Sequence, residues 1–135
     1  MTSSTPANEF VADTMALVLR LERRRMGERG KAAFEALEAG SATIHVPGIV
    51  LAEILYLSER GRISATVEQV TDYMRRNARC REAPLNLAVI QAAGSITDIP
   101  ELHDRLIAAT GRLLGLDIIT VDPAIENSEF VGTLW

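Results

Sequence analysis

Short apolar runs alternate along the chain with longer stretches in which apolar residues repeat at helical spacing. The short runs fit strands, whose side chains pack on a pleated surface. In the longer stretches the apolar positions recur every three to four residues and mark one face of a helix. Strands are predicted at residues 10–13, 42–46, 80–83, 118–121 and 130–135. Helices are predicted at residues 14–25, 31–38, 48–59, 66–77, 86–93 and 102–114.

Glycine and capping residues mark the ends of these predicted elements. Gly40, Gly61 and Gly115 each follow a helical stretch, where glycine is a common stop signal. Thr66 and Gln69 have the spacing of a capping box, which indicates the start of a helix. The predicted boundaries therefore rest on local chemistry as well as on periodicity.

The order of the predicted elements indicates the α/β class. Strands that alternate with helices form a mostly parallel sheet with helices on both faces. Ligands of such sheets gather at the carboxyl ends of the strands. Asp13 is the last residue of one predicted strand and Asp122 directly follows another, so both are expected at that edge of the sheet.

Length and composition fit one domain built around one core. The chain has 135 residues, of which 47% are hydrophobic and 24% are charged, and these values are ordinary for a globular protein. Residues 1–9 are expected to be a frayed or disordered segment, as polar termini often are. Residues 10–135 are expected to form the folded domain, since no linker, repeat or shift of composition divides them.

The chain is expected to be cytoplasmic and to have no membrane partner. No apolar run approaches the roughly 20 residues of a membrane helix, and the amino terminus lacks the pattern of a secretory signal. A single cysteine, Cys80, allows no internal disulfide and suits a reducing compartment. The net charge of −4 argues against nucleic-acid binding by bulk charge. A nuclease is still compatible with this charge, because a bound metal ion supplies positive charge where cleavage occurs.

Four carboxylates lie beside or within predicted buried elements, although the formation of those elements does not require all four. Lone acidic groups beside buried elements are costly unless positive charge meets them. Convergence on one divalent metal ion is the simplest common explanation, and it is typical of a metal-dependent nuclease. The four residues are Asp13, Glu53, Asp104 and Asp122.

Each of these acids also has a structural interpretation that the residues alone leave open. Asp13 and Asp122 can cap the helices that follow them, the latter with a proline in the first turn. Asp104 can complement the positive start of its helix. Glu53 lies within an otherwise apolar helix, where the alternative is an ion pair with Arg60 or another arginine. The joint pattern of four acids is more specific than any one of them.

Other site chemistries find little support in the sequence. His45 and His103 are far apart and lack the spacing of metal ligands, so His103 is expected at the surface or beside the site. The chain has no Gly-x-Ser-x-Gly elbow, no P-loop and no Gly-x-Gly-x-x-Gly fingerprint. A basic segment is interpreted as a solvated helix face, which could also guide a nucleic-acid phosphate toward the acids. It contains Arg20, Arg23, Arg24 and Arg25.

Four segments resemble the PIN domain family, in particular its small prokaryotic members, the VapC-type toxins. Val-Ala-Asp-Thr at 11–14 is similar to the segment with the first acid of the family, and Val-Pro-Gly-Ile-Val-Leu-Ala-Glu-Ile-Leu at 46–55 to that with the second. Ile-Pro-Glu-Leu-His-Asp-Arg-Leu-Ile-Ala-Ala-Thr at 99–110 is the most specific match, and Ile-Ile-Thr-Val-Asp at 118–122 resembles the final Thr-x-Asp. The chain departs from the family at Met15, where a polar residue is common. It also departs at Gly111, where Ala is usual and glycine should loosen the helix slightly.

The resemblance implies a three-layer α/β/α sandwich and metal-dependent endoribonuclease activity. In this interpretation four acids, with Glu53 acting directly or through water, hold one or two Mg²⁺ or Mn²⁺ ions that activate water for attack on phosphorus. Thr120 is expected as a neighbour in the site. An antitoxin protein that blocks the site and a homodimer are further expectations from the family. The four acids are Asp13, Glu53, Asp104 and Asp122.

Two functions of other classes stay open at this point. A non-catalytic PIN module would bind RNA or a protein partner with the same fold, because activity is not visible in a sequence. A small-ligand or nucleotide-binding domain of the same architecture is the third hypothesis. Its weakness is the missing glycine-rich loop.

Overall fold

The computed structural model describes residues 8–135, which contain five strands and seven helices. Residues 1–7 of the segment expected to be frayed lie outside the described part, and Glu9 begins the first strand. The strands are β1 Glu9–Ala12, β2 Thr43–Pro47, β3 Cys80–Ala83, β4 Asp117–Ile119 and β5 Thr133–Leu134. The helices are α1 Thr14–Leu21, α2 Glu28–Glu38, α3 Gly48–Glu59, α4 Val67–Arg76, α5 Leu87–Ser95, α6 Leu102–Leu114 and α7 Pro123–Glu126.

The five strands form one sheet in which every pair is parallel, in the order β3-β2-β1-β4-β5. The central strand β1 pairs with β2 on one side and with β4 on the other. The chain leaves β1 toward β2 and β3, then returns across the sheet to β4. The carboxyl ends of β1 and β4 therefore form a topological switch point, where open α/β sheets place their ligands.

Helices cover both faces of the sheet, which confirms the predicted α/β/α sandwich. Because connections between parallel strands are right-handed, α1–α4 lie on one face and α5–α7 on the other. The two central strands are buried on both faces, as Val11 and Ile118 illustrate with no exposed surface, and this is the usual state of parallel strands. Helices α3 and α6, which belong to different layers, also contact each other.

The best-predicted helices carry their own start and stop signals. Helix α6 runs over Leu102–Leu114 as predicted, and Gly115 ends it with a φ of 69°, a conformation that favours glycine. The capping box of Thr66 and Gln69 is present at the start of α4. Over residues 8–135, no helix combines the length and the apolar character that crossing a membrane requires.

Helix α1 ends at Leu21, four residues before the predicted boundary. Beyond it, Oε2 of Glu22 accepts hydrogen bonds from the backbone N–H groups of Ser64 and Ala65. Arg23 adopts a φ of 56°, which is incompatible with a continuing α-helix. A tertiary contact therefore ends α1 where the apolar pattern alone would continue it.

Gly111 lies where α6 packs directly on β4. A Cβ atom at this position would lie 2.7 Å from Cγ1 of Ile118 and 3.1 Å from the carbonyl oxygen of Leu116. Close packing, rather than a loosened helix, is therefore the consequence of this glycine. We expect Gly111→Ala to lower the free energy of unfolding by about 1–2 kcal/mol, because overpacking outweighs the gain in helix propensity.

Gly94 in α5 is the matched control for this prediction. A Cβ atom there would meet nothing within 4 Å, so Gly94→Ala should raise the free energy of unfolding by up to about 1 kcal/mol. Urea denaturation of both variants measures the two effects. A Gly111→Ala protein as stable as Gly94→Ala would show that the Ile118 side chain moves aside without cost.

Candidate metal centre

The switch point between β1 and β4 places Asp13 and Asp122 at one edge of the sheet. Asp13 directly follows β1, and its backbone N–H donates to the carbonyl oxygen of Ile119 at 3.2 Å. Thr120 directly follows β4, and its hydroxyl oxygen accepts from the backbone N–H of Asp122 at 3.0 Å. Residues more than 100 positions apart in the sequence therefore meet because their strands are neighbours.

Asp13 is buried and is both a helix cap and a member of an acidic group. Its Oδ1 accepts from the backbone N–H of Ala16 at 2.8 Å, so the capping interpretation is correct for this residue. Burial raises its pKa to about 6, although the Thr120 hydroxyl and the Ala16 N–H lower it. The carboxylates of Asp122 and Glu53 raise the pKa further, which indicates that two other acids lie near Asp13.

Asp122 also combines capping with proximity to the other acids. Its Oδ1 accepts from the backbone N–H of Ala124 at 2.9 Å, with Pro123 in the first turn of α7. Asp122 can cap α7 and also bind a metal ion, because its Oδ1 accepts the capping hydrogen bond and its other carboxylate oxygen is left for a second partner. The short helix α7 was not predicted, although its cap and its proline were recognised.

Glu53 projects from the middle of α3, and its partner is a hydroxyl group. Oε1 of Glu53 accepts from Oγ1 of Thr14 at 2.8 Å. Arg60, its candidate partner from the sequence, lies over the ring of Tyr56 at 3.9 Å from the centroid instead. Glu53 makes no ion pair among residues 8–135. A hydroxyl group, rather than a cation, is therefore the partner of this carboxylate.

Asp104 lies in the first turn of α6, where Glu101 rather than Asp104 is the cap. Oε1 of Glu101 accepts from the backbone N–H of Asp104 at 2.9 Å. The pKa of Asp104 is raised to about 6, first by burial and then by the charges of Asp122, Glu101 and Glu53. A hydrogen bond with the Asp122 carboxyl raises it as well, because two carboxyl groups form such a bond only if they share a proton.

The structure brings the four acids into one electrostatic group. Asp122 and Glu53 both raise the pKa of Asp13 and that of Asp104, and none of the four forms a salt bridge within the described part of the chain. Over residues 8–135, no three acidic, histidine or cysteine side chains are gathered tightly enough to enclose a metal ion. The group is therefore an open cluster and not a closed cage.

An open group of oxygen ligands suits one kind of ion. Magnesium binds through one or two carboxylates and keeps several of its waters, so it does not need a closed protein cage. Concentrated negative charge without basic partners favours a small divalent cation. The residues present therefore fit Mg²⁺ or Mn²⁺, and they contain no sulfur or paired imidazole ligand of the type that zinc prefers.

Two neighbours of the acids were not identified as site residues from the sequence. Thr14 is buried and fixes Glu53, but the 39 positions between them leave no sequence signal for the contact. His103 had been expected at the surface or beside the site, and its Nδ1 lies 2.8 Å from Oε2 of Glu101. The pKa of His103 is raised first by Glu101 and also by the charges of Glu53 and Asp104, so His103 lies beside the acidic cluster.

Comparisons with known proteins agree on the fold. The family model of the PIN domain matches residues 10–130. The structure of VapBC2 from Rickettsia felis bound to a promoter DNA fragment has a TM-score of 0.71 at 16% identity, covering 94% of this chain and 98% of that chain. A toxin–antitoxin complex from Klebsiella pneumoniae has a TM-score of 0.62 at 18% identity, covering 93% and 95%. The comparison with curated proteins gave no match.

Proposed function

Because this chain belongs to the PIN domain family, we propose that it is a metal-dependent endoribonuclease. One observation carries the proposal: Asp13 and Asp122 lie beyond the ends of neighbouring strands, Asp122 and Glu53 raise the pKa of Asp13 and that of Asp104, and none of the four acids forms a salt bridge among residues 8–135. A purely structural role would leave this mutual repulsion without compensation. A bound divalent ion would offset the repulsion among the carboxylates, and it would explain why the four acids lie close together.

The four acids have different roles in this proposal. Asp13, Asp104 and Asp122 hold the ion, and Glu53 binds it directly or through a water. When bound, Mg²⁺ or Mn²⁺ lowers the pKa of a water and offsets negative charge on the phosphate. Thr120 helps to hold the segment that carries Asp122, since its hydroxyl oxygen accepts from the backbone N–H of Asp122.

Hydrolysis by water, without a covalent intermediate, is the step that these residues support. Thr14 and Thr120 are both buried, so neither hydroxyl is accessible to an RNA phosphate as a nucleophile. Burial raises the pKa of the Cys80 thiol to about 12, which keeps that side chain protonated near neutral pH. In this proposal the side chains of the protein bind and orient the metal ion, and its own hydroxyl and thiol groups take no part in the reaction.

The biological role that we propose is that of a toxin held inactive by an antitoxin. The support is the similarity of the fold to chains from VapBC, FitAB and other toxin–antitoxin complexes. The antitoxin would cover the acidic edge of the sheet. The chain is also proposed to form a homodimer, because large apolar side chains stay exposed on α5, with Leu87 at 70% and Ile90 at 48%, and such surfaces favour association.

Removal of the metal ion tests the proposed activity. We expect the protein to cut a labelled structured RNA with Mg²⁺ or Mn²⁺, to lose this activity in EDTA, and to regain it with excess Mg²⁺. Asp104→Asn, purified in the same way, controls for contaminating ribonuclease, because it removes one proposed ligand. Cleavage that persists in EDTA would contradict metal dependence. An absence of cleavage in every RNA tested would favour the non-catalytic PIN module.

A further inference from the structure

A cleft of about 890 Å³ lies beside the connection between α1 and α2. The sequence interpretation placed its arginines on a helix face, but α1 ends at Leu21 and Arg23 stands in a left-handed turn. The basic segment therefore folds around a cavity instead of along a helix. The lining contains five basic side chains, one acidic side chain and one aromatic side chain: Arg20, Arg23, Arg24, Arg25, Lys31, Glu28 and Trp135.

Most of the positive charge in this cleft has no partner. Arg20 pairs with Glu38, and Arg24 pairs with Glu22. Within residues 8–135, the other three basic residues of the lining make no ion pair; they are Arg23, Arg25 and Lys31. In a chain whose net charge is −4, a concentration of unpaired positive charge marks a site for an anionic ligand.

The cleft reaches the same edge of the sheet as the acidic cluster. Leu134 in β5 pairs with Ile119 in β4, and its carbonyl oxygen accepts from the backbone N–H of Thr120 at 3.0 Å. Trp135 therefore follows β5 where Thr120 follows β4, one strand away. The Trp135 carbonyl oxygen accepts from the backbone N–H of Gly30 at 2.8 Å, which fixes this wall of the cleft to α2.

We infer that this cleft binds the single-stranded RNA that extends from the acidic cluster, an inference that rests on the proposed ribonuclease function. Guanidinium groups match phosphate oxygens with paired hydrogen bonds. An indole ring offers a stacking surface for any base. An acidic peptide would satisfy the arginines, but it would leave Trp135 without a stacking partner. The cleft then holds nucleotides next to the scissile bond, and the acids act on the bond itself.

Intrinsic fluorescence tests this inference, because Trp135 is the only tryptophan of the chain. A short single-stranded RNA is titrated in EDTA, so that binding is measured without cleavage. The cleft variant is Arg23→Gln with Arg25→Gln. The matched control is Arg79→Gln with Arg81→Gln, two exposed arginines at β3, on the opposite edge of the sheet from β5.

RNA is expected to quench Trp135 emission in the wild-type protein and in the control. The cleft variant should bind roughly tenfold more weakly, and its slope of log affinity against log salt should be smaller by about 1.4, the value for two lost phosphate contacts on a single strand. Equal affinity of the wild type and the cleft variant would overturn the inference. Absence of quenching by RNA, or quenching by a poly-glutamate peptide instead, would overturn it as well.

The two proposals fail separately in these measurements. Wild-type protein that binds RNA in the cleft but cuts no RNA with Mg²⁺ would refute the nuclease function and leave the cleft assignment intact. Protein that cuts RNA, while the cleft variant binds as tightly as the wild type, would refute only the cleft assignment.

Discussion

Asp13→Asn is expected to abolish RNA cleavage while it makes the metal-free protein more stable. Loss of one metal ligand should raise the activation free energy of cleavage by several kcal/mol, because the negative charge of the transition state is stabilised less. This corresponds to a cleavage rate that is about a thousandfold lower. The Asn side-chain oxygen can still accept from the backbone N–H of Ala16, so the cap of α1 is kept. Asn carries no charge, and the cost of burying a carboxylate beside other acids disappears.

The sign of the stability effect follows from the pKa of Asp13, which is raised from 3.8 to about 6 in the folded protein. Stability that comes from holding this proton is fully present below pH 3.8 and is lost as the pH rises through about 6. At pH 7.5 the wild type has lost it. Asp13→Asn should therefore raise the free energy of unfolding in EDTA by about 1–3 kcal/mol at pH 7.5. The gain should shrink toward zero near pH 4.

Urea denaturation in EDTA at the two pH values measures this effect, and the RNA assay with Mg²⁺ measures the loss of activity. Asp72→Asn is the matched control, because Asp72 is an exposed residue of α4 in weak pairs with arginines. It should change neither quantity appreciably. A lower free energy of unfolding for Asp13→Asn at pH 7.5 would mean that Asp13 is a structural partner and not part of an uncompensated cluster.

Glu53→Gln is expected to weaken Mn²⁺ binding by about 10–100-fold without changing the fold. Gln retains an oxygen that can accept from the Thr14 hydroxyl, so the contact between α1 and α3 is preserved. Only the negative charge near the ion is lost. Because Glu53 forms no ion pair over residues 8–135, the substitution leaves no basic side chain unpaired.

Calorimetric titration of Mn²⁺ into the wild-type protein and the variant measures the difference in affinity. Glu59→Gln is the control, since Glu59 is the last, exposed residue of the same helix and makes the same change of charge. Its affinity should match that of the wild type. If Glu53→Gln bound Mn²⁺ as tightly as Glu59→Gln, Glu53 would have no part in the site.

The elements that the sequence predicted best are those whose signals lie within a few residues. Helix α6 and its stop at Gly115 depend on the spacing of apolar residues and on one glycine. The capping box of α4 depends on two residues of the same turn. The contact that ends α1 involves Glu22 and Ser64, which are 42 positions apart, and the periodicity of α1 contains no trace of it.

The features of the candidate site likewise fall into those that have a local signal in the sequence and those that do not. The acids were identified because carboxylates beside strand ends, or within an apolar helix, are unusual in one sequence. Their capping roles were also visible, since caps are local. The hydrogen bond from Thr14 to Glu53 was not visible, because it joins residues that only the folded chain brings together.

The sequence by itself determined the α/β class, most of the helices and the identity of the acidic residues, because these follow from local periodicity and from the cost of an unpaired charge. Only the tertiary structure decided that β1 and β4 are neighbours, and hence that Asp13 and Asp122 lie one strand apart on the edge where both were expected. The tertiary structure also places the arginines that follow α1 in the lining of a cleft, together with Trp135. Both outcomes depend on contacts between distant segments, whose energies appear only once the sheet has assembled.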